Sequence, residues 1–421
     1  MKVVRNIILI MTAIMVVMGC SERKQSHGHT IAFVSKILSD TTSYEYKIVA
    51  QKPDVNGTIA VIGSSEDAIR VSEALIASDS FNNITGKAEA DQLPDFCGET
   101  VAMIMDMANE PYQTYITLGN DGVLSEINVR NYLAAMDTIC LSSPYDTLNT
   151  DRKLRSKIVI FASSFASAFG YYDIDSLNHS VGSHIRIIAP VQSMVNYLYN
   201  HNDGPLNLGV WSTSDMIAAG IYSSVIPREF SKRGDDQSKY IAFSTTAPED
   251  EIFTSDIVRS QLLDWFDKYI ATGNNTRLTA LIVDDPSINL EELEKFVEEI
   301  KTTDDDAMLI YKNLLSDSFE CIYAGKAIAE ECYMHLRKIN GFTHRIAWPA
   351  MQGYVTSPVA GLDEECYDID GSFSYAYKYS REENQPQSSF TLVVLKDKYL
   401  NETTRSFMEE NAPQTYSIYV R

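Results

Sequence analysis

The sequence predicts an α/β protein of two doubly wound β/α lobes with a C-terminal β-hairpin. Three observations carry that expectation. Apolar runs of four to seven residues alternate with segments of helical spacing over most of the chain. Most of these runs are continuous rather than alternating, as in strands covered on both faces of a parallel sheet. The chain of 421 residues also exceeds what one ordinary core accommodates.

Taken in order, "TIAFVSKI" (30–37) and "SYEYKIVAQ" (43–51) read as strands around a Ser/Thr/Asp turn cluster. Further candidate strands fall at 58–63, 100–105, 114–118, 157–162, 185–189, 206–211, 239–244, 278–283 and 307–311. The helices between them show in their stripes. "NLEELEKFVEEIKT" places Leu290, Leu293, Phe296, Val297 and Ile300 on one side and acids on the other, with Asn289 and Glu292 spaced as a capping box. "SDIVRSQLLDWFDKYIATG" turns Ile257, Val258, Leu262, Leu263 and Phe266 inward and stops near Gly273. The turn cluster "NHNDGPLN" (200–207) divides a first lobe, 31–203, from a second, 204–345. In the remaining 346–421, Phe373, Tyr375, Tyr377 and Tyr379 alternate strictly, and "SSFTLVVLK" follows a polar loop with Pro386. The two read as a β-hairpin on a sheet edge or across both lobes.

The first twenty residues carry a different signal. Lys2 and Arg5 precede "IILIMTAIMVV" (7–17), an apolar core too short to span as a mature helix, and "VMGC" sets Gly19 before Cys20. This arrangement resembles the lipobox of bacterial lipoproteins. The resemblance implies a signal peptide over 1–19, acylation of Cys20 with palmitate-type chains, and a polar tether over 20–30. It places the chain in the cell envelope as a membrane-anchored lipoprotein, on the periplasmic face or the cell surface. Ser21 is similar to the residue after the cysteine in lipoproteins sent to an outer membrane. His27 and His29 read as part of a solvated linker. Export permits disulfides, but Cys97, Cys140, Cys321, Cys332 and Cys366 are odd in number and lack CxxC or zinc spacing. Free, buried thiols are expected.

Composition narrows the partners. With 35 Lys+Arg against 57 Asp+Glu the net charge is −22, and loss of Lys2 and Arg5 with the signal peptide takes it to −24. Such a surface repels phosphate backbones and anionic headgroups, so no nucleic-acid partner is expected. G-x-S-x-G, H-E-x-x-H, G-x-x-x-x-G-K-[ST] and G-x-G-x-x-G are all missing, so no cofactor is implied. "DIDS" and "DTLNTD" lack the residue order of a calcium loop, and no metal site is expected. His179 and His184 near Asp173 and Asp175 are candidates for general-base work, though a polar surface loop explains them equally.

A recurring strand ending points to where a ligand would sit. "IAVIGSSEDAIRV", "IVIFASSFASA", "LGVWSTSDMIA" and "IAFSTTAPEDE" each pass from an apolar run to hydroxyls and then to a helix or loop. In open α/β sheets ligands bind beyond the carboxyl ends of strands. Ser64, Ser65, Ser163, Ser164, Ser212, Thr213 and Ser244 fall there, and Asp284 and Asp285 take the same place after "LTALIV". Hydroxyls and free N–H groups suit a small polar ligand, and an aspartate can accept from sugar hydroxyls or an amine. The same residue types are preferred N-caps, so both roles stay open for each.

Two families resemble parts of this text. Paired β/α lobes over about 30–345 resemble the type I periplasmic binding proteins, and "LTALIVDDPSINLEELEKFVEEI" is the nearest stretch. That resemblance implies a lipid-anchored extracytoplasmic solute-binding protein closing two lobes on a small polar ligand, with a transport or receptor partner. "IVIFASSFASA" and "LNLGVWSTSDMIAAGIYSSVI" are similar to strand–helix segments of the aspartate/glutamate racemase family. Ala162–Ser163–Ser164 stand where that family has its first catalytic cysteine, and no cysteine follows "LIVDD", which excludes a two-thiol mechanism. The alternatives are an exported hydrolase or lyase using His179 and Asp173, or a surface interaction protein without a small ligand.

Overall fold

The computed structural model describes residues 30–143, 150–247, 254–384, 390–396 and 400–419. The expected signal peptide, Cys20, His27, His29, Pro386 and most of "DTLNTD" lie outside the described residues.

Ile31–Arg421 builds two sheets within one unit. The strands are β1 (Thr58–Gly63), β2 (Thr100–Met105), β3 (Ile139–Leu141), β4 (Thr150–Arg152), β5 (Ser156–Phe161), β6 (Arg186–Ile188), β7 (Asn207–Ser212), β8 (Lys239–Phe243), β9 (Leu278–Asp284), β10 (Leu315–Ile322), β11 (Ala350–Pro358) and β12 (Phe390–Val394). Among the described residues the first sheet runs β4-β3-β12-β11-β2-β1-β5-β6 and the second β10-β9-β7-β8. Every pairing in the second sheet is parallel. In the first, only β11–β12 and β3–β4 are antiparallel. β1, β2, β5 and β7 are buried at every position, which is why their sequences read as unbroken apolar runs.

Several expectations need correction. Residues 30–37 and 43–51 are not strands but the helices Ala32–Ser39 and Tyr44–Val49. Phe33, Val34 and Ile37 form the buried stripe of the first, and Ser43 caps the second through the Tyr46 N–H. The run 114–118 is also helical, Gln113–Thr117, and tucks Tyr115 and Ile116 into the core. The strand expected at 307–311 lies further on, at β10. Its polar Ser316, Asp317 and Ser318 suit an edge strand but hide it from an apolar-run reading. The tyrosines of 375–380 form a helix, Tyr375–Ser380, begun by Ser374, whose side chain accepts from the Tyr377 N–H. The antiparallel partner of β12 is therefore β11 and not the aromatic segment.

Crossings and core fix how the sheets sit. The chain passes from the helix Pro190–His201 into β7, and from β10 through Tyr323 into the helix Ala324–Ile339. That last helix packs with first-sheet residues: Ile328, Cys332, Tyr333 and Leu336 share a cluster with Ile59, Val61, Val101 and Ile158. A second cluster joins Tyr115, Leu124, Ile127 and Phe169, from helices and a loop of the first half of the chain, to Leu208, Val210, Tyr222, Ile282 and Ile322, so the second sheet packs on those helices.

Beneath the first sheet, at the amino ends of its strands, Lys157 and Glu99 form a buried ion pair at 2.8 Å. Lys157 Nζ also donates to the Val55 and Gly341 carbonyls, each at 2.8 Å, and Glu99 accepts from the Thr343 N–H at 2.8 Å. The pair thus clamps three loops. Removing one partner of so enclosed a pair typically costs about 3–5 kcal/mol.

Candidate functional site

Each sheet has one point where its connections change direction. From β1 the chain moves to β2 on one side and later returns to β5 on the other. From β7 it moves to β8 and then crosses to β9. Loops at such switch points diverge and leave a crevice beyond the carboxyl ends of the strands. Ser64 follows β1, Ser163 and Ser164 follow β5, Ser212 ends β7 and Asp284 ends β9. Five residues singled out in the sequence therefore stand at the two switch points.

Their hydrogen bonds gather them into two neighbouring groups, one at the end of each sheet. On the first sheet, Ser64 Oγ donates to Asp67 Oδ2 at 2.7 Å, and Ser163 also acts to hold the Asp67 pKa down. Ser163 occupies an N-cap position but makes no capping bond with its side chain. On the second sheet, Tyr222 OH donates to Asp284 Oδ2 at 2.7 Å and shares a hydrogen bond with Ser212 Oγ at 2.6 Å, while Ser212 Oγ lies 2.9 Å from the Asp284 carbonyl. Ser164, next to β5, is close enough to the Asp284 carboxylate to hold its pKa down, which brings the ends of the two sheets near each other. Arg70 Nη2 adds a second link, to the Pro286 carbonyl at 3.2 Å.

The remaining predicted residues divide differently. Ser65 turns to a neighbour, Glu110: its N–H reaches Oε2 at 2.6 Å and its hydroxyl Oε1 at 2.7 Å. Thr213 caps a helix through the Met216 N–H at 3.3 Å. Asp285 holds a turn, accepting from the Ser287 N–H at 2.9 Å and hydroxyl at 2.6 Å. Ser244 ends the edge strand β8, and its carbonyl accepts from Lys268 Nζ at 2.8 Å. Ser64 does both jobs, since its Oγ also accepts the Asp67 N–H at 3.4 Å.

The carboxylates set the electrostatics. Burial pushes Asp67 up to about 6, with the negative charges of Asp284 and Glu66 adding to the rise and the Ser64 and Ser163 bonds opposing it. Burial likewise raises Asp284, with Asp285 adding and Tyr222 and Ser164 opposing. Glu110 is raised by burial and by Asp106, against its bonds to Ser65 and the charge of Lys378. No lysine or arginine among the described residues forms an ion pair with Asp67 or Asp284. The nearby cations are engaged on the Glu110 side, where Lys378 Nζ donates to the Glu110 carbonyl at 2.6 Å and Arg381 Nη2 to Asn109 Oδ1 at 2.8 Å.

Below Glu110, buried Asp106 ends the β2 segment and accepts from Asn109, Tyr112, Asn131 and Thr356. These four donors hold the Asp106 carboxylate in place.

Sequence reading missed Asp67, Tyr222, Glu110 and Asp106. Asp67 had a usable signal, the Ser-x-x-Asp spacing from Ser64, which resembles a capping box. Tyr222 and Glu110 reach the set only through tertiary packing. His179 and His184 are both exposed, and Asp173 is occupied by the Ile31 N–H at 2.9 Å, so neither histidine belongs to the crevice. Cys97, Cys140, Cys321, Cys332 and Cys366 are all free and none joins this set. Among the described residues no group of His, Cys, Asp and Glu is arranged to hold a metal ion.

Comparison with known proteins found no matching family model and no match among curated proteins. Among solved structures there are similarities at low identity. The chain is similar to glutamate racemase from Francisella tularensis subsp. tularensis SCHU S4, solved in complex with D-glutamate. Identity is 13%, coverage 82% of this chain and 100% of that one, and the TM-score 0.42. It is also similar to a glutamate racemase isoform from Bacillus anthracis, at 12% identity, covering 72% and 89%, with a TM-score of 0.40. The Thermus thermophilus glutamate racemase, solved with beta-chloro-D-alanine, gives 13% identity, 72% and 88% coverage, and a TM-score of 0.35.

Proposed function

We propose that this chain is a lipid-anchored, extracytoplasmic solute-binding protein that holds a small polar ligand in the crevice between its two sheets. One observation carries the reading: hydroxyls and carboxylates from both switch points form two clusters, Ser64–Asp67 and Asp284–Tyr222–Ser212, and the neighbouring Ser163 and Ser164 act one on each carboxylate. The set is rich in acceptors, and among the described residues no lysine or arginine pairs with Asp67 or Asp284. It suits a ligand that brings donors, such as a polyol or an amine, better than an anion. A ligand that replaced the serine hydroxyls on these carboxylates would inherit bonds already aimed at it.

The apolar core that the second sheet shares with helices of the first half of the chain favours a small motion over a wide opening. Parting Ser164 from Asp284 and Arg70 from Pro286 would uncover the set while that core stays packed. A thermal-shift screen of sugars, polyols, amines, amino acids and nucleosides tests the reading. At a hundredfold excess over Kd a true ligand stabilises by about 2.7 kcal/mol, and Asp284→Asn should abolish its shift. Failure of every pool to raise the midpoint would end this proposal.

Anchoring rests on the "VMGC" text at Cys20. Its check is separate: Cys20→Ser should move the chain from the membrane fraction to the soluble one, and an unchanged distribution would remove the lipid from the proposal.

A further inference from the structure

The chain is strongly acidic, yet residues 332–362 contain no aspartate or glutamate. The same stretch carries Arg337, Lys338, His344 and Arg345, all exposed. It includes the end of the helix Ala324–Ile339 and the loop that leads into β11. In that loop His344, Arg345, Ile346, Ala347 and Trp348 are consecutive exposed residues. Ile339 at the helix end is exposed too, and so is Ile84, whose carbonyl accepts from Arg337 Nη2 at 2.8 Å.

This loop is held firmly from below. Gly341 and Thr343 are tied to the buried Lys157–Glu99 pair, the Ala347 carbonyl accepts from the Gly98 N–H at 2.6 Å, and the Ala350 N–H reaches the Glu99 carbonyl at 2.9 Å. A backbone so pinned does not leave its largest apolar side chains in water for want of order. Trp348 is 68% exposed, while Trp211 and Trp265 are both 0% exposed. Exposed aromatic and aliphatic tips on a basic rim form the pattern that seats at a lipid interface, where an amphipathic indole finds both apolar and wet surroundings.

We propose that the 343–348 loop, with Ile339 and Ile84 beside it, is a surface that docks on an anionic lipid bilayer. The adjoining loops add Lys52 and Lys87 against Asp54, Asp79, Glu89 and Asp91, so the basic character of the face rests on Arg337, Lys338 and Arg345. The overall charge of −22 does not prevent the contact, because screening confines each charge to about 8 Å at physiological ionic strength. It does select the orientation: faces dominated by acids are repelled, and this one is drawn in. The inference uses neither the crevice ligand nor the acylation of Cys20.

Trp348 supplies its own readout, since the other two tryptophans are buried. The full chain is mixed with vesicles of phosphatidylcholine alone, or with phosphatidylglycerol added, and its tryptophan emission is followed alongside co-sedimentation. The expected result is a blue shift with the anionic vesicles, quenching by brominated acyl chains, and weakening by salt. Ile346→Asp should lower partitioning roughly tenfold, as loss of one buried aliphatic side chain implies. Its melting midpoint should stay unchanged, because the side chain is exposed. Chains that sediment with vesicles while Trp348 emission and quenching stay as in water are held elsewhere, and that overturns the proposal. So does failure to sediment, or a blue shift that follows protein concentration without lipid, which would assign the face to a second copy.

Discussion

Asp67 and Asp284 owe their chemistry to company as much as to burial. Each is largely buried and held by hydroxyls, Asp67 feels the charge of Asp284, and Asp284 feels that of Asp285. For Asp67 the consequence is a pH dependence with a definite sign. Its folded value near 6 lies above the ordinary 3.8, so the folded state binds the proton more tightly than the unfolded chain. The stabilisation is fully present below about pH 4 and is lost as pH rises through about 6. One pH unit corresponds to about 1.4 kcal/mol, so the contribution is at most about 3 kcal/mol. Asp67→Asn should flatten the change in Tm between pH 4 and 6.5 relative to the unaltered chain. Identical pH profiles for the two would show that Asp67 titrates normally. At this scale the sequence was half legible. Hydroxyls after apolar runs located the strand ends, but the same residue types cap helices, and only the direction of the Ser163 and Ser164 side chains separates the roles.

Elements were legible where burial was uniform. β1, β2, β5 and β7 show as apolar runs because both their faces are covered, and the helix Leu290–Thr302 shows as a stripe begun by Asn289, which accepts the Glu292 N–H at 3.1 Å. Short helices that dock an apolar face, such as Ala32–Ser39, look like strands to the same reasoning, and edge strand β10 hides behind its polar residues. The alternation of Phe373 through Tyr379 misled for another reason: Ser374 offers a cap, and a local bond chose helix over sheet. In β7 a single missing side chain matters. A Cβ on Gly209 would lie 2.5 Å from Trp265 Cη2 and 2.8 Å from Leu281 Cδ1. Gly209→Ala should therefore cost about 1–3 kcal/mol by overpacking, read as a lower urea midpoint with an unchanged slope. An unshifted midpoint would mean that the indole moves aside freely.

The whole molecule is interleaved. β11 sits between β2 and β12, so residues from the last quarter of the chain complete a sheet begun near the start. Nothing local in the sequence announces that return, because strand order is a property of tertiary pairing. A chain ending at residue 345 should accordingly lose its cooperative melting transition, although it retains the whole of the second sheet. A sharp two-state melt with native circular dichroism from that truncation would show the return strands to be dispensable.

The same order sets a clock on synthesis. After Met105 has been made, about 245 residues must follow before Ala350 begins the partner of β2. At roughly 5–20 residues per second this leaves an unpaired edge for on the order of 12–50 s. An open strand edge is a template for pairing with another chain. Until β11 arrives, the nascent protein is therefore at its most vulnerable to aggregation, and a holding chaperone would matter most in that interval.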